Sequence, residues 1–395
     1  MITNGFTYIA FLMFVAGALL FLQKNTKWKV FDLVPPLVWI YVLHMIFCTV
    51  GLYDLGETKA AYSAFKNNLL YAMIFVMLLR CDFRKLAKLG PRMIAIFLGG
   101  SLTLALGTLI GFPIFAESMG GAETSWAAVA ALYASWVGGS ANMAAMEAAF
   151  TIDPNAYGAA LALDTVCYSV WIALLLLAVK IAPKWNAIVK ADTSKLDEVA
   201  KVANAEVAAS KKVPTAADWI FLIGLSLMVS VISQKAGVIM NDGLCAIGFD
   251  MFGSATCTTV FVTVLGLICA MTPLGKLAAV EELSSIYLYA VVSLLASRAT
   301  LVDLIAAPMW IVYGMFILVI HVVTYFILSK MFKWDLCMVS TASLANIGGS
   351  ASAPIVATAY DPNFAGIGVL MGVLGAAIGN FCGLAMGGIL QFLFV

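Results

Sequence analysis

The sequence predicts an all-α polytopic membrane protein made of two related halves, and three observations carry that prediction. Of 395 residues, 63% are hydrophobic and only 11% charged, with a mean hydropathy of +1.02. A soluble globule of ordinary composition is excluded, because lipid must cover part of so much apolar surface. The apolar residues fall into twelve runs that a polar linker divides six and six. One segment occurs twice: Trp136-Val137-Gly138-Gly139-Ser140-Ala141 and Asn346-Ile347-Gly348-Gly349-Ser350-Ala351, each followed shortly by Asp-Pro-Asn.

In order, the first half (1–183) has apolar runs at 6–22, 33–53, 66–79, 93–115, 126–150 and 156–182. The second half (216–395) has runs at 218–234, 254–271, 283–297, 304–329, 336–360 and 364–394. The run at 6–22 has no basic region before it and no small-residue cleavage site after it, so it reads as a retained helix. The linker, 184–215, is Ala-rich and Lys-containing with no apolar stripe, which predicts a solvated surface helix or a flexible loop. The eight cysteines show no Cys-x-x-Cys pairing and read as small buried hydrophobes. Cys245 with Cys257 is the one weak disulfide possibility. Asp153-Pro154 and Asp361-Pro362 each open a helix, the Asp accepting an orphan N–H at the N-cap and the Pro losing nothing at the first helical position.

A Gly-Gly-Ser break inside an apolar run frees backbone groups that lipid cannot satisfy, so it survives only against protein or a wet cavity. The two broken runs, 126–150 and 336–360, allow two topologies. Either each crosses the membrane, giving two parallel halves of six spans, or each dips in and returns, giving two inverted halves of five spans and one hairpin. With the N-terminus outside, the re-entrant topology puts 18 of the 22 lysines and arginines inside and leaves only Lys59, Lys66, Lys235 and Arg298 outside. The crossing topology splits the 22 about evenly, so the positive-inside rule favours ten spans plus two re-entrant hairpins, both termini outside and a cytoplasmic linker.

Paired Gly-interrupted segments in corresponding positions point to a transporter's binding site. Unwound carbonyls can hold a sodium ion, and the start of a second limb offers N–H groups to an anion. The candidate substrate-binding residues are therefore Gly138, Gly139, Ser140, Ala141 and Asn142 in hairpin one, and Asn346, Gly348, Gly349, Ser350 and Ser352 in hairpin two. Packing of small residues is the competing explanation for such glycines. Asp164 lies at membrane depth, where an acid is a functional candidate by default. Its counterpart in the second half is Gly372, and the asymmetry suits a coupling-cation site with Thr165 and Ser169 as neighbouring oxygens. A protonated Asp164 hydrogen-bonded to a neighbouring helix is the alternative. Glu147 faces either the cavity or the outer rim. His44 and His321 read as neutral, hydrogen-bonded imidazoles, with a proton relay as the other role. Asn380 either bonds across helices or lines the site, and Gly375, Gly379, Gly383 and Gly387 form a smooth packing stripe. No intramembrane Arg or Lys is evident near the tips, so an anionic solute would rely on helix N-termini and a zwitterion serves equally well.

The layout and the tandem hairpin–helix units resemble a bacterial integral-membrane family catalogued as domain of unknown function 819, over nearly the whole chain. The architecture is also similar to the sodium:glutamate and sodium:citrate (2-hydroxycarboxylate) symporters, although the motif here reads Gly-Gly-Ser-Ala rather than Gly-Gly-His-Gly or Gly-Gly-Asn-Gly. That similarity implies an elevator transporter with a dimer-forming scaffold and a mobile hairpin domain in a bacterial cytoplasmic membrane. The chain carries no Walker loop, His-Glu-x-x-His, Gly-x-Ser-x-Gly or His/Cys cluster, so an enzyme, a resident cofactor and a nucleic-acid partner are not expected. The expectation is sodium-coupled symport of a small amino acid or carboxylate. A cation:proton antiporter and a non-transporting sensor or scaffold are the alternatives.

Overall fold

The computed structural model describes residues 1–26, 28, 36–193, 196–210, 213–247, 253–300 and 308–395. Five of the lysines counted above (27, 29, 195, 211 and 212) and the starts of the runs expected at 33 and 304 lie outside the described residues. The helices of the first half are α1 (Gly5–Asn25), α2 (Pro36–Thr49), α3 (Lys59–Leu78), α4 (Gly90–Phe115), α5 (Ala122–Gly138), α6 (Ser140–Phe150) and α7 (Pro154–Ala178). The linker holds α8 (Ala182–Val189) and α9 (Leu196–Ser210). The second half holds α10 (Ala216–Ala246), α11 (Ser254–Ala270), α12 (Val280–Ala296), α13 (Pro308–Phe332), α14 (Leu336–Tyr360) and α15 (Ala365–Phe394). No strand occurs among the described residues; one isolated bridge joins Ile2 to Tyr53.

Among the described residues, six helical stretches are long and apolar enough to cross a membrane: Gly5–Asn25, Phe83–Phe115, Pro154–Val189, Ala216–Ala246, Pro308–Phe332 and Pro362–Phe394. Helices α2 and α11 are apolar but shorter. At 1.5 Å per residue, the 17 residues of α12 reach about 25 Å, a little short of the hydrocarbon thickness. The multi-pass character is therefore plain, while the count of ten crossings exceeds what length and composition alone establish.

Both Gly-Gly segments fold back on themselves. Trp126 and Phe150, at the two feet of the first, have ring centroids 5.1 Å apart, although a straight helix would separate them by about 36 Å. In the second, Ser340 Oγ and Tyr360 OH are hydrogen-bonded at 3.1 Å, against about 30 Å for a straight helix. The reversals occur at Gly139 (φ 98°, ψ 174°) and Gly349 (φ 68°, ψ −164°), conformations that only glycine adopts without strain. The proposed caps also form: Asp153 Oδ1 accepts from the N–H groups of Asn155 and Ala156, each at 3.0 Å, and Asp361 Oδ1 from Asn363 at 2.8 Å.

Long-range contacts sort the helices into two groups. The first three helices of each half (α1, α2, α3 with α10, α11, α12) pack together, and the later ones (α4 to α7 with α13 to α15) form the second group around the hairpins. Polar contacts also define two ends of the bundle. At one end Arg92 Nη1 pairs with Asp192 at 3.1 Å, Arg92 Nη2 donates to Lys333 O at 2.8 Å, Lys88 pairs with Glu206, and Arg84 reaches Met271 O at 2.7 Å. At the other, Ile2 bonds Leu52 O at 2.6 Å, Arg298 bonds Leu55 O at 2.6 Å and Thr300 N bonds Asn155 Oδ1 at 2.8 Å. The loop 80–92, the linker and the 330–335 turn thus share one end.

Two expectations are corrected. The linker does carry an apolar stripe: Leu196, Ala200 and Ala203 are buried. Next to them Asn204 donates to Asn363 O at 2.8 Å and accepts from Gly366 N at 2.9 Å. One leucine and two alanines are too few to stand out in a polar segment, and the stripe docks α9 on the start of α15. All eight cysteines are free thiols, with Cys245 exposed.

Candidate functional site

The two tips meet. A β-carbon on Gly349 would sit 3.9 Å from Gly139 Cα, so the reversals of the two hairpins touch through backbone alone. Helix α15 makes this approach possible: a methyl group on Gly372 would collide with the Ser350 backbone, and one on Gly375 with Val137 O. Further along, Gly379, Gly383 and Gly387 lie against Asn142, Met146 and Phe150. The glycine stripe is thus a packing seam that serves both hairpins, with Gly372 standing where hairpin two needs room.

A cavity of about 160 Å³ abuts the tips, lined by Gly139, Ser140, Asp164, Thr165, Tyr168, Gly348 and Ser352 together with Leu37, Val38, Leu161 and Ile347. It has room for about five waters, the scale of an ion and a small solute. Asp164 is buried and held by two hydrogen bonds, Ser135 Oγ donating to Oδ2 at 2.9 Å and Trp136 Nε1 to Oδ1 at 2.7 Å. Both donors belong to the last turn of α5, so the chain that forms the tip also orients the acid. Tyr168 OH and Ser352 Oγ are bonded at 3.0 Å across the cavity.

Of the sequence-predicted residues, Gly139, Ser140, Gly348, Ser352, Asp164 and Thr165 come together on this cavity. Ser350 lines a second, larger one of about 540 Å³. Gly138, Ala141, Asn142, Asn346, Gly349 and Ser169 line neither. Asn346 is fully buried in packing bonds, accepting from Ser101 Oγ at 2.6 Å and donating to Phe97 O at 3.2 Å and Ala342 O at 2.9 Å. Asn142 donates to Asn380 Oδ1 at 2.9 Å and to Ala376 O at 3.1 Å, and its own Oδ1 is buried without a partner. Asn380 in turn donates to Thr263 Oγ1 at 3.1 Å, so it bonds across helices. Thr165 Oγ1 and Ser169 Oγ both donate back to carbonyls four residues earlier, Leu161 O and Thr165 O.

The remaining polar candidates are also placed. Glu147 faces Lys66 rather than the cavity, with Lys66 Nζ at 3.0 Å from Oε1 and Ile152 N donating to Oε2 at 2.9 Å. His321 is fully buried between Thr103 Oγ1 (2.6 Å) and Ser343 Oγ (2.8 Å). Thr103 spends its proton on Gly100 O, so the imidazole donates through Nδ1 and accepts through Nε2, a satisfied neutral ring. His44 Nδ1 meets Tyr53 OH at 2.8 Å.

One expectation about charge is overturned. Arg80 reaches the tip of hairpin two, where Nη2 donates to Ser350 Oγ at 2.6 Å. Sequence reasoning placed it with the loop charges, although it directly follows the apolar run ending at Leu79 while Arg84, Lys85 and Lys88 come later. That adjacency was the available signal. The Ser135–Trp136 clamp had a weaker one, a hydroxyl and an indole N–H just ahead of Gly138.

Fold and site together define a multi-pass helical membrane protein whose two fold-back hairpins meet beside a buried acidic side chain. The model of the family described as "Protein of unknown function (DUF819)" matches residues 10–393, and the chain belongs to that family. No curated protein matches it.

Proposed function

We propose that this protein is a secondary active transporter, a sodium-coupled symporter for a small polar or anionic solute such as an amino acid or carboxylate. The observation that carries the reading is the meeting of the two Gly-Gly tips beside one cavity that Gly139, Gly348 and Asp164 line. A cation there finds the Asp164 carboxylate and the oxygens of Ser140, Thr165, Tyr168 and Ser352, and the break in each hairpin leaves backbone groups for solute and ion. Nearby, the unpartnered Asn142 Oδ1 offers a further acceptor at the tip of hairpin one.

In this reading the two halves are inverted repeats in a cytoplasmic membrane, both termini lie outside, and the hairpin group moves as an elevator against the other group. The first group, α1–α3 with α10–α12, acts as scaffold and as the dimer contact, and lipid covers the remaining apolar surface. The contacts that motion must break run between the groups: Lys66–Glu147, Arg80–Ser350, Asn380–Thr263, Thr256–Ala149 O at 3.1 Å and Tyr41–Pro154 O at 2.9 Å. Most are hydrogen bonds of about 1 kcal/mol net each, a scale that permits sliding.

Thermal stability of the purified chain in sodium, potassium and choline, with and without amino acids and carboxylates, tests the proposal. Sodium at 100 times its dissociation constant is expected to add about 2.7 kcal/mol, and Asp164→Asn is expected to abolish the gain. Cation-driven proton release without any organic solute would replace symport by antiport through Asp164. Solute binding without flux in proteoliposomes would point to a sensor or scaffold.

A further inference from the structure

The larger cavity lies among the 80–86 turn, the 275–282 loop, α9 and α15, and Arg80 and Ser350 are among its lining residues. We propose that Arg80 and Ser350 form a carboxylate-binding subsite in this vestibule, so that the transported solute is one bearing a carboxylate group. The biological role of the subsite rests on the transport reading; its ligand chemistry does not.

The guanidinium lacks a buried counter-charge. Among the described residues, the one carboxylate in ion-pair range is Glu281, 3.6 Å from Nη1, and its side chain is 78% exposed. Arg80 Nε is buried with no partner. A planar fork of donors directed at a hydroxyl, with spare N–H capacity and only a solvent-screened acid beside it, matches a carboxylate better than any neutral group. Ser350 adds its hydroxyl, and as the first residue after the Gly349 reversal it stands at the N-terminal end of the second limb, where orphan N–H groups favour negative charge.

Of the other charges of the vestibule, Asp82 is held by Arg84 at 2.8 Å and Glu206 by Lys88, while Lys85 and the exposed Glu282 lie on the wall. Glu281 occupies the position an incoming carboxylate would take and acts as an exposed stand-in that the solute displaces. The arrangement also separates the charges by cavity: Asp164 lines the smaller one, shared by both tips, and Arg80 the larger one.

The test uses the purified full chain and a matched panel of acetate, lactate, succinate and glycine against acetamide, lactamide, succinamide and glycinamide, with the melting temperature as readout. At least one acid is expected to stabilise the wild type at about 10 mM or below and its amide to fail. Arg80→Gln is expected to weaken that acid about tenfold to a hundredfold, and Arg80→Lys, which keeps charge but not the fork, to fall between. Glu281→Gln is expected to strengthen it about two- to fivefold. Equal binding of acid and amide, unchanged affinity in a folded Arg80→Gln, or no acid binding at all would overturn the subsite. A binding subsite in a protein that moves nothing in proteoliposomes would leave this inference standing while the transport reading fails.

Discussion

Hairpin one and hairpin two share a backbone plan and differ in what surrounds it. The first reversal sits beside a buried acid and is anchored by a buried ion pair, Lys66–Glu147. The second sits beside a base and is anchored by the neutral bonds of Asn346. The glycines at the two turns supply the same conformational freedom. The difference lies in neighbouring helices: α7 presents Asp164 near tip one, whereas α15 presents Gly372 so that tip two can approach. Duplicated backbone chemistry thus acquires opposite charge preferences from its surroundings, a useful property for handling a cation and an anion together.

Breaking the anchors separates the two hairpins most strongly. Lys66→Met leaves Glu147 buried with no cationic partner and is expected to cost about 3–5 kcal/mol; adding Glu147→Gln should recover most of it, as melting of single and double variants will report. The tip glycines come next. Gly139→Ala and Gly349→Ala meet no close atom, so each is expected to lose about 1–3 kcal/mol from backbone strain alone, and a marked inequality would show that the tips are not equivalent.

The bonds behind each tip sharpen the contrast. Trp136→Phe removes a donor to a buried carboxylate and is expected to cost about 1.5–3 kcal/mol, whereas Ser101→Ala, behind Asn346, removes one neutral bond worth about 0.5–1.5 kcal/mol. Equal losses would argue against an ionised Asp164. The smallest effect is at the far end of the vestibule. The Arg84 guanidinium, hydrogen-bonded to Asp82, holds that carboxyl below its ordinary value. A lowered folded-state value means the stabilisation is present at neutral pH and lost as pH falls through it. Asp82→Asn should therefore flatten a shallow loss of stability below about pH 4, measured by melting across an acid series.

Much of this contrast was legible in one dimension. The membrane class, the breaks at both Gly-Gly motifs, the Asp-Pro caps and the presence of an acid at membrane depth follow from local composition and from what lipid refuses to solvate, and the fold-back followed from the distribution of Lys and Arg along the chain. Arg80 was not legible, because a cation at the end of an apolar run looks the same whether it enters a loop or turns inward. The apolar stripe of α9 hid for a similar reason: one leucine and two alanines do not raise the hydropathy of a charged segment. Asn346 and Ser350 lie four residues apart in one motif, yet the first is locked in packing and the second lines a vestibule.

By itself, then, the sequence determined where the backbone must break and which residue types stand at the breaks, since both are local properties of glycine, aspartate and proline in an apolar setting. The tertiary structure alone decided that the breaks touch, that Trp136 and Ser135 clamp Asp164, and that Arg80 meets Ser350 across 270 residues of chain. Those pairings depend on helix packing between distant segments, which no window of local pattern contains.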